Sequence, residues 1–174
     1  MERETADQLE SLHPDAFGWA VHCCDGDHSR AEDVLQNAYL KLASGRLGFT
    51  GASSFKTWWF GVIRLTAREE FRRLRYRESL VGRLLQQFSG DSHDPRPSPS
   101  RQIELDEQTM QLRDCLSRLP ARQAEVLHLV FYQDLSLSEA AAVMKVGIGS
   151  VRQHYERGKA RMRSLLQPGP KHEP

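Results

Sequence analysis

Residues 89–100 read Ser-Gly-Asp-Ser-His-Asp-Pro-Arg-Pro-Ser-Pro-Ser, with proline at three alternate positions and no aliphatic side chain. Such a segment cannot bury enough apolar surface to offset the entropy of ordering it. It therefore splits the 174-residue chain into parts of about 88 and 74 residues, each viable as a small helical domain. The expected division is a first domain at 1–88, a linker at 89–103, a second domain at 104–168 and a tail at 169–174.

Helical periodicity dominates on both sides of that segment, and no stretch alternates with period two for long enough to make a strand. Val34, Leu35, Ala38, Tyr39 and Leu42 fall on one helical face, with Glu32, Asp33, Gln36, Asn37 and Lys41 largely opposite. Ser29 suits the N-cap of that helix, and Ser44-Gly45 its end. Pro14 stands where an upstream helix can begin. A loop from Gly45 to Ser54 leads into a long helix over residues 55–88. Beyond the linker, a helix over 102–117 stops before Pro120, which is placed to open the next one. The predicted fold class is all-α, two small helical domains joined by a flexible linker.

Composition narrows the function classes. No run of about 18 apolar residues is present, which rules out a transmembrane helix. Met1 to Glu10 carries four acidic residues and no apolar block, unlike a secretory signal. Three cysteines, with Cys23 and Cys24 adjacent, fit a reduced cytoplasmic protein and not a disulfide scaffold. His22, Cys23, Cys24 and His28 are the only dense set of potential metal ligands. They lack the usual spacing for zinc, so no metal site and no cofactor are expected. Phosphate-binding loops, dinucleotide fingerprints and nucleophile elbows are absent from the sequence, and no catalysis is expected.

The formal net charge of +1 conceals a segregated pattern. Residues 1–48 carry net −5, 49–88 net +5, 89–107 net −3, 108–144 net −1 and 145–174 net +5. Two basic blocks between acidic stretches point to two polyanion-facing surfaces.

Leading into the second basic block, residues 135–144 form a short helix with a capping box, Ser136 as N-cap and Glu139 at the third position. Lys145-Val-Gly147 makes a tight turn in which glycine supplies the backbone freedom. Ser150 is the expected cap of a helix running to Leu166. Val151, Tyr155, Gly158, Met162 and Leu165 form its inward stripe. Arg152, Gln153, Glu156, Arg157, Lys159 and Arg163 lie on the other side. This is what a recognition helix needs: arginine and glutamine can bond base edges in the major groove, while later basic residues reach phosphates. Glu156 can accept from a cytosine amine or pair with Arg152 or Lys159.

The first basic block interleaves aromatics with arginines, from Ser54-Phe-Lys-Thr-Trp-Trp-Phe-Gly-Val-Ile-Arg64 to Phe71-Arg-Arg-Leu-Arg-Tyr-Arg77. Aromatic faces stack on unpaired bases and basic side chains meet phosphates, so this pattern suits melted or single-stranded DNA. Phe55 and Trp58, at helical spacing with Val62, fit a core. Arg72, Arg73, Arg75 and Arg77 are too dense for packing and fit phosphate contact.

Three motifs in order then carry a family resemblance. Ala31-Glu-Asp-Val-Leu-Gln-Asn-Ala-Tyr-Leu-Lys41 resembles the region 2 helix of bacterial extracytoplasmic-function (ECF) sigma factors. Residues 55–73 resemble the adjoining promoter-melting helix. Leu119 to Leu166, with Leu-Ser-Leu-Ser-Glu-Ala-Ala and Gly149-Ser-Val-Arg152, resembles region 4. The resemblance implies a promoter-recognition subunit that binds core RNA polymerase and promoter DNA, takes no small-molecule substrate, and is restrained by an anti-sigma factor, in many relatives a membrane-held one. It also implies three sets of site residues. The upstream, minus-thirty-five element falls to Ser150, Arg152, Gln153, Glu156, Arg157, Lys159 and Arg161. The minus-ten element, with its melting, falls to the loop at 46–54 and the helix after it, through Phe49, Lys56, Trp59, Arg64, Arg68, Arg72, Arg73 and Arg75. Polymerase docking falls to Asp33, Gln36 and Asn37. Asn37 replaces a more usual acidic residue, and Leu65 a more usual asparagine near the minus-ten bases. An autonomous helix-turn-helix regulator, dimerising through residues 1–88, is the alternative from another class; it leaves Phe49, Trp58, Trp59 and the arginine cluster without a purpose.

Replacing Arg152 by Ala is expected to weaken binding at the preferred upstream element by about 1–3 kcal/mol and to relax base preference there. Promoter-variant binding profiles check this, and an unchanged profile removes Arg152 from the base-reading set.

Overall fold

A computed structural model describes residues 3–86 and 115–166, with side chains at 5–79 and 115–166. The linker at 89–103, most of the helix expected at 102–117 and the tail lie outside the described residues, although 115–117 is helical. The described residues are all-α, and chain contacts divide the molecule into units at 1–101 and 102–174.

The first unit contains α1 (Arg3–Ser11), α2 (His13–Cys23), α3 (His28–Ala43) and α4 (Phe55–Gln86). Helices α2, α3 and α4 pack on one another, and α1 lies against α2. Pro14 sits in the first turn of α2, where a missing N–H does no harm. The turn after α2 places Asp25 and Gly26 at positive φ, and the Gly26 N–H donates to the Val21 carbonyl at 2.9 Å. Asp27, not Ser29, caps α3: its carboxylate accepts from the Arg30 N–H at 3.1 Å. The aspartate wins because the turn brings it to the first exposed N–H groups two residues earlier. Ala31, Val34, Leu35 and Ala38 bury the apolar face of α3.

Helix α4 is about 48 Å long at 1.5 Å per residue. Its first half is enclosed, with Thr57, Trp59, Phe60, Val62, Ile63, Arg64, Thr66 and Ala67 all buried. Over residues 68–79 no side chain is buried, and residues 75–79 are all exposed. One helix thus serves first as core and then as a projecting surface. The Trp19 ring lies nearly parallel to Phe60, and its indole N–H donates to the Phe60 carbonyl at 3.0 Å.

The second unit contains α5 (Ala121–Phe131), α6 (Leu137–Met144) and α7 (Ile148–Leu166), each packed on the other two. Ser136 and Glu139 form the capping box at the start of α6. The turn differs from expectation. Lys145, not Gly147, takes the left-handed conformation at φ 52°, and the Val146 N–H closes back to the Ala141 carbonyl at 3.2 Å. Gly147 instead accepts from Ser150 and Val151, so α7 starts at Ile148 and Ser150 lies within its first turn. Val151 is fully buried, and Tyr155, Met162 and Leu165 cover the core formed by Leu119, Ala124 and Leu127. At Gly158 a Cβ atom would lie 3.1 Å from Leu127 Cδ1 and 3.3 Å from Gln123 Cβ. The glycine lets α7 approach α5.

A leucine at position 158 must displace Leu127 and is expected to destabilise the second unit by about 1–3 kcal/mol. Denaturant unfolding with a unit-specific signal checks this; an unchanged midpoint shows that the two helices separate freely.

Candidate nucleic-acid interfaces

In the second unit, the capping box and the left-handed Lys145 present α7 with its first turn exposed. Ile148, Gly149, Ser150, Arg152 and Gln153 are all solvent-facing, as are Glu156, Arg157 and Arg161 further along. Lys159 is half-buried: its ammonium sits 3.0 Å from Glu156 and 4.4 Å from the centre of the Tyr155 ring. Glu156 therefore has its pairing partner within the helix. The arrangement is a basic helix with an open amino-terminal turn, which can meet base edges with its first residues and phosphates with its later ones. Ile148 was not anticipated. Its exposure follows from the earlier start of α7, and an apolar side chain there can touch a thymine methyl.

In the first unit, the loop after α3 folds Phe49 onto the start of α4. Phe49, Phe55 and Trp58 form a surface aromatic group with ring centres 5.3–5.4 Å apart. Phe49 remains 42% exposed. Trp59 and Arg64 require correction. Both were expected at DNA, yet they are 0% and 4% exposed. The turn of α4 directs Trp59 inward against Tyr39, ring centres 5.1 Å apart, and Arg64 onto the same enclosed half of the helix. Lys56 is held at 2.9 Å from Asp15 and packs over Phe60, tying the start of α4 to α2. Arg68, Arg72, Arg73 and Arg75 are exposed along the projecting half.

Between α3 and α4 runs a polar seam that the sequence did not announce. Lys41 donates to Glu69 at 2.6 Å and to the buried Thr66 hydroxyl at 3.1 Å. The Asn37 amide donates to Glu70 Oε1 at 3.4 Å, the oxygen that also takes Arg73 at 3.3 Å. An aspartate at 37 would repel Glu70, so asparagine is the residue type this seam accommodates. Asp33 and Gln36 stay exposed on the same helix, beside Leu40.

Elsewhere the polar groups are engaged in packing. His22 stacks on Trp19, and His28 meets the Phe17 ring edge-on. Burial, reinforced by Asp27 and Asp25, pushes the Cys24 thiol from its ordinary value near 9 up to about 12. Burial also raises the Tyr39 hydroxyl, whose oxygen lies 3.0 Å from His13 Nδ1.

Comparison with known proteins agrees with this geometry. Residues 9–77 match the family described as Sigma-70 region 2, and residues 115–164 match Sigma-70, region 4. The ECF RNA polymerase sigma factor SigX of Bacillus subtilis is 26% identical over 161 residues, covering 91% of this chain and 81% of that protein. The ECF RNA polymerase sigma factor EcfG of Rhodopseudomonas palustris is 25% identical, covering 92% and 83%. Among solved structures, the sigma factor RpoE in complex with the anti-sigma factor NepR from Bartonella quintana superposes with a TM-score of 0.67 at 25% identity, covering 95% of this chain and 98% of that one. CnrH in complex with the cytosolic domain of CnrY shares the fold, with a TM-score of 0.62 at 20% identity and coverages of 95% and 89%. The matches assign the helical bundle, whose last helix carries the basic residues, to region 2 and the helix-turn-helix unit to region 4 of the sigma-70 class. The chain belongs to the sigma-70 family and is an ECF sigma factor.

The Cys24 shift has a consequence in alkali. Its folded-state pKa lies above the unfolded one, so the stability it carries is complete below pH 9 and declines as pH rises from about 9 toward 12. Tyr39 acts in the same direction. The slope from one thiol is at most about 1.4 kcal/mol per pH unit. Unfolding curves between pH 8 and 11 are expected to fall more steeply for the wild type than for Cys24→Ala, and parallel curves would refute the assignment.

Proposed function

We propose that this sigma factor binds core RNA polymerase and directs it to promoters carrying two elements. The exposed face of α3, with Asp33, Gln36 and Asn37, is the docking surface; Asn37 joins it from the seam with Glu70. Unit 1–88 handles the minus-ten element through Phe49, Arg68, Arg72, Arg73 and Arg75, and unit 104–168 reads the minus-thirty-five element. There Ser150, Arg152, Gln153, Glu156, Arg157, Lys159 and Arg161 form the reading surface. The observation that carries this reading is the pair of exposed basic helical faces, on the projecting half of α4 and on α7, within the region 2 and region 4 matches.

The mechanism follows from electrostatics and position. Guanidiniums on α4 displace counterions from phosphates, giving affinity that falls with salt and carries no sequence information. Sequence preference comes from the first turns of α7 in the major groove. The chain supplies no catalysis of its own; nucleotide addition belongs to the polymerase. Its setting is the cytoplasm, where an anti-sigma factor covers it until a signal arrives. The support for that partner is that a similar sigma factor was solved in complex with an anti-sigma factor. Among the described residues no helix is long and apolar enough to cross a membrane.

Transcription from fragmented genomic DNA by core polymerase, with and without the protein, is the direct test. New start sites sharing two upstream elements at fixed spacing are expected. No new starts, or dimeric binding to DNA without polymerase, would overturn the reading. Replacing Arg72 and Arg73 together is expected to weaken open-complex formation at every promoter, with a salt dependence shallower by about two charges' worth. Loss confined to one promoter would contradict the phosphate assignment.

A further inference from the structure

Tyr76 lies one turn beyond Arg72 and Arg73 on the projecting half of α4. At 67% exposure it is the most exposed large hydrophobic side chain among the described residues, ahead of Leu40 at 64%. Helical spacing puts Glu69, Arg72, Arg73 and Tyr76 on one face, and these four line a shallow hollow there. The same stripe, followed back along α4 at 100° per residue, runs through Leu65 to Trp58 and Phe55, so Tyr76 continues the line begun by the aromatic group at Phe49. Trp58 and Tyr76 are about 27 Å apart along the helix axis at 1.5 Å per residue.

Charge decides what this hollow can receive. Its one carboxylate, Glu69, has Lys41 at 2.6 Å, which offsets its charge. Arg72, Arg73, Arg75 and Arg77 are exposed around the ring. The hollow is therefore an aromatic face set among cations, which matches a nucleotide: a planar base for the tyrosine ring and a phosphate for the neighbouring guanidiniums. An apolar protein segment would hold the guanidiniums of Arg72, Arg75 and Arg77 in a dry contact, and would leave Arg73 only its solvent-exposed pair with Glu70 at 3.3 Å, which a phosphate can replace.

We infer that Tyr76 is a base-stacking residue, holding a promoter nucleobase whose adjoining phosphates pair with Arg72 and Arg73. The inference rests on the sigma-factor reading and extends it to a residue outside the assigned minus-ten set. Tyrosine suits the role because its ring is rigid and stacks on any base, so the contact adds affinity with little sequence preference.

The test uses reconstituted holoenzyme and a fluorescein-labelled single strand carrying the downstream element found by start-site mapping. Tyr76→Ala is expected to lower affinity for that strand about 5- to 150-fold, the range expected for one lost base–aromatic stack. Tyr76→Phe, which keeps the ring, is expected to stay within about twofold of wild type. The log–log salt slope of Tyr76→Ala is expected to parallel wild type, since no charge is removed. Affinity for core polymerase, measured separately, is expected to be unchanged in both variants. Equal strand affinity for wild type and Tyr76→Ala would overturn the inference, and so would a matching loss of core affinity, which would make Tyr76 a polymerase contact. Failure of the wild-type protein to form holoenzyme would overturn the sigma reading itself, and is distinguishable because it precedes any comparison of variants.

Discussion

The amino-terminal unit depends on a helix that must be core at one end and surface at the other, and Trp19 is what divides the two. Its ring is fully buried against Phe60, and its indole N–H donates to the Phe60 carbonyl at 3.0 Å. A buried indole without an acceptor is costly, so this bond fixes both the distance and the rotation of α4 relative to α2. With that rotation set, Ile63, Thr66 and Ala67 face α2 and α3, and Arg68, Arg72 and Arg75 face outward. The Lys56–Asp15 pair supports the same register from the start of α4, and Lys41 supports it from α3. Both pairs are partly exposed, so each adds well under the stability of the aromatic contact. They brace the orientation that the Trp19–Phe60 contact and the buried half of α4 already set.

The two basic surfaces are built on opposite principles. In the second unit, α7 keeps an inward stripe along its length, so its packing residues and its exposed basic residues lie on different sides of one helix. In the first unit, the packed stretch and the exposed arginines are separated along the axis of α4. A short recognition helix needs a close neighbour to hold its angle, and Gly158 admits Leu127 for that purpose. A projecting helix needs only a firm base, because contact with a flexible phosphate chain tolerates small angular error.

Much of this was legible before any coordinates. Long 3.6-residue periodicity marked α3, α4 and α7, and the Ser136–Glu139 box was visible because capping uses side chains of fixed type at fixed spacing. Exposed residues of α7 were legible for the same reason. Trp59 and Arg64 were misplaced because adjacent aromatics and a lone arginine have the same local signature inside or outside; which way they face depends on the neighbouring helices. The caps at Asp27 and Gly147 were missed because several turn formers stood together, and only the chain path selects among them. The Lys41–Glu69 and Asn37–Glu70 contacts were not legible, since pairs 28 and 33 residues apart leave no mark in sequence.

What the sequence by itself determined is the helical class, the two-part organisation and the sign of charge on each surface. These follow from composition and periodicity, which act over one or two helical turns. Only the tertiary structure decided which half of α4 is buried, which aromatic rings remain open and which carboxylates already hold a cation. Those outcomes depend on contacts between residues far apart in the chain, such as Trp19 with Phe60 and Lys41 with Glu69, where burial and pairing set the energy.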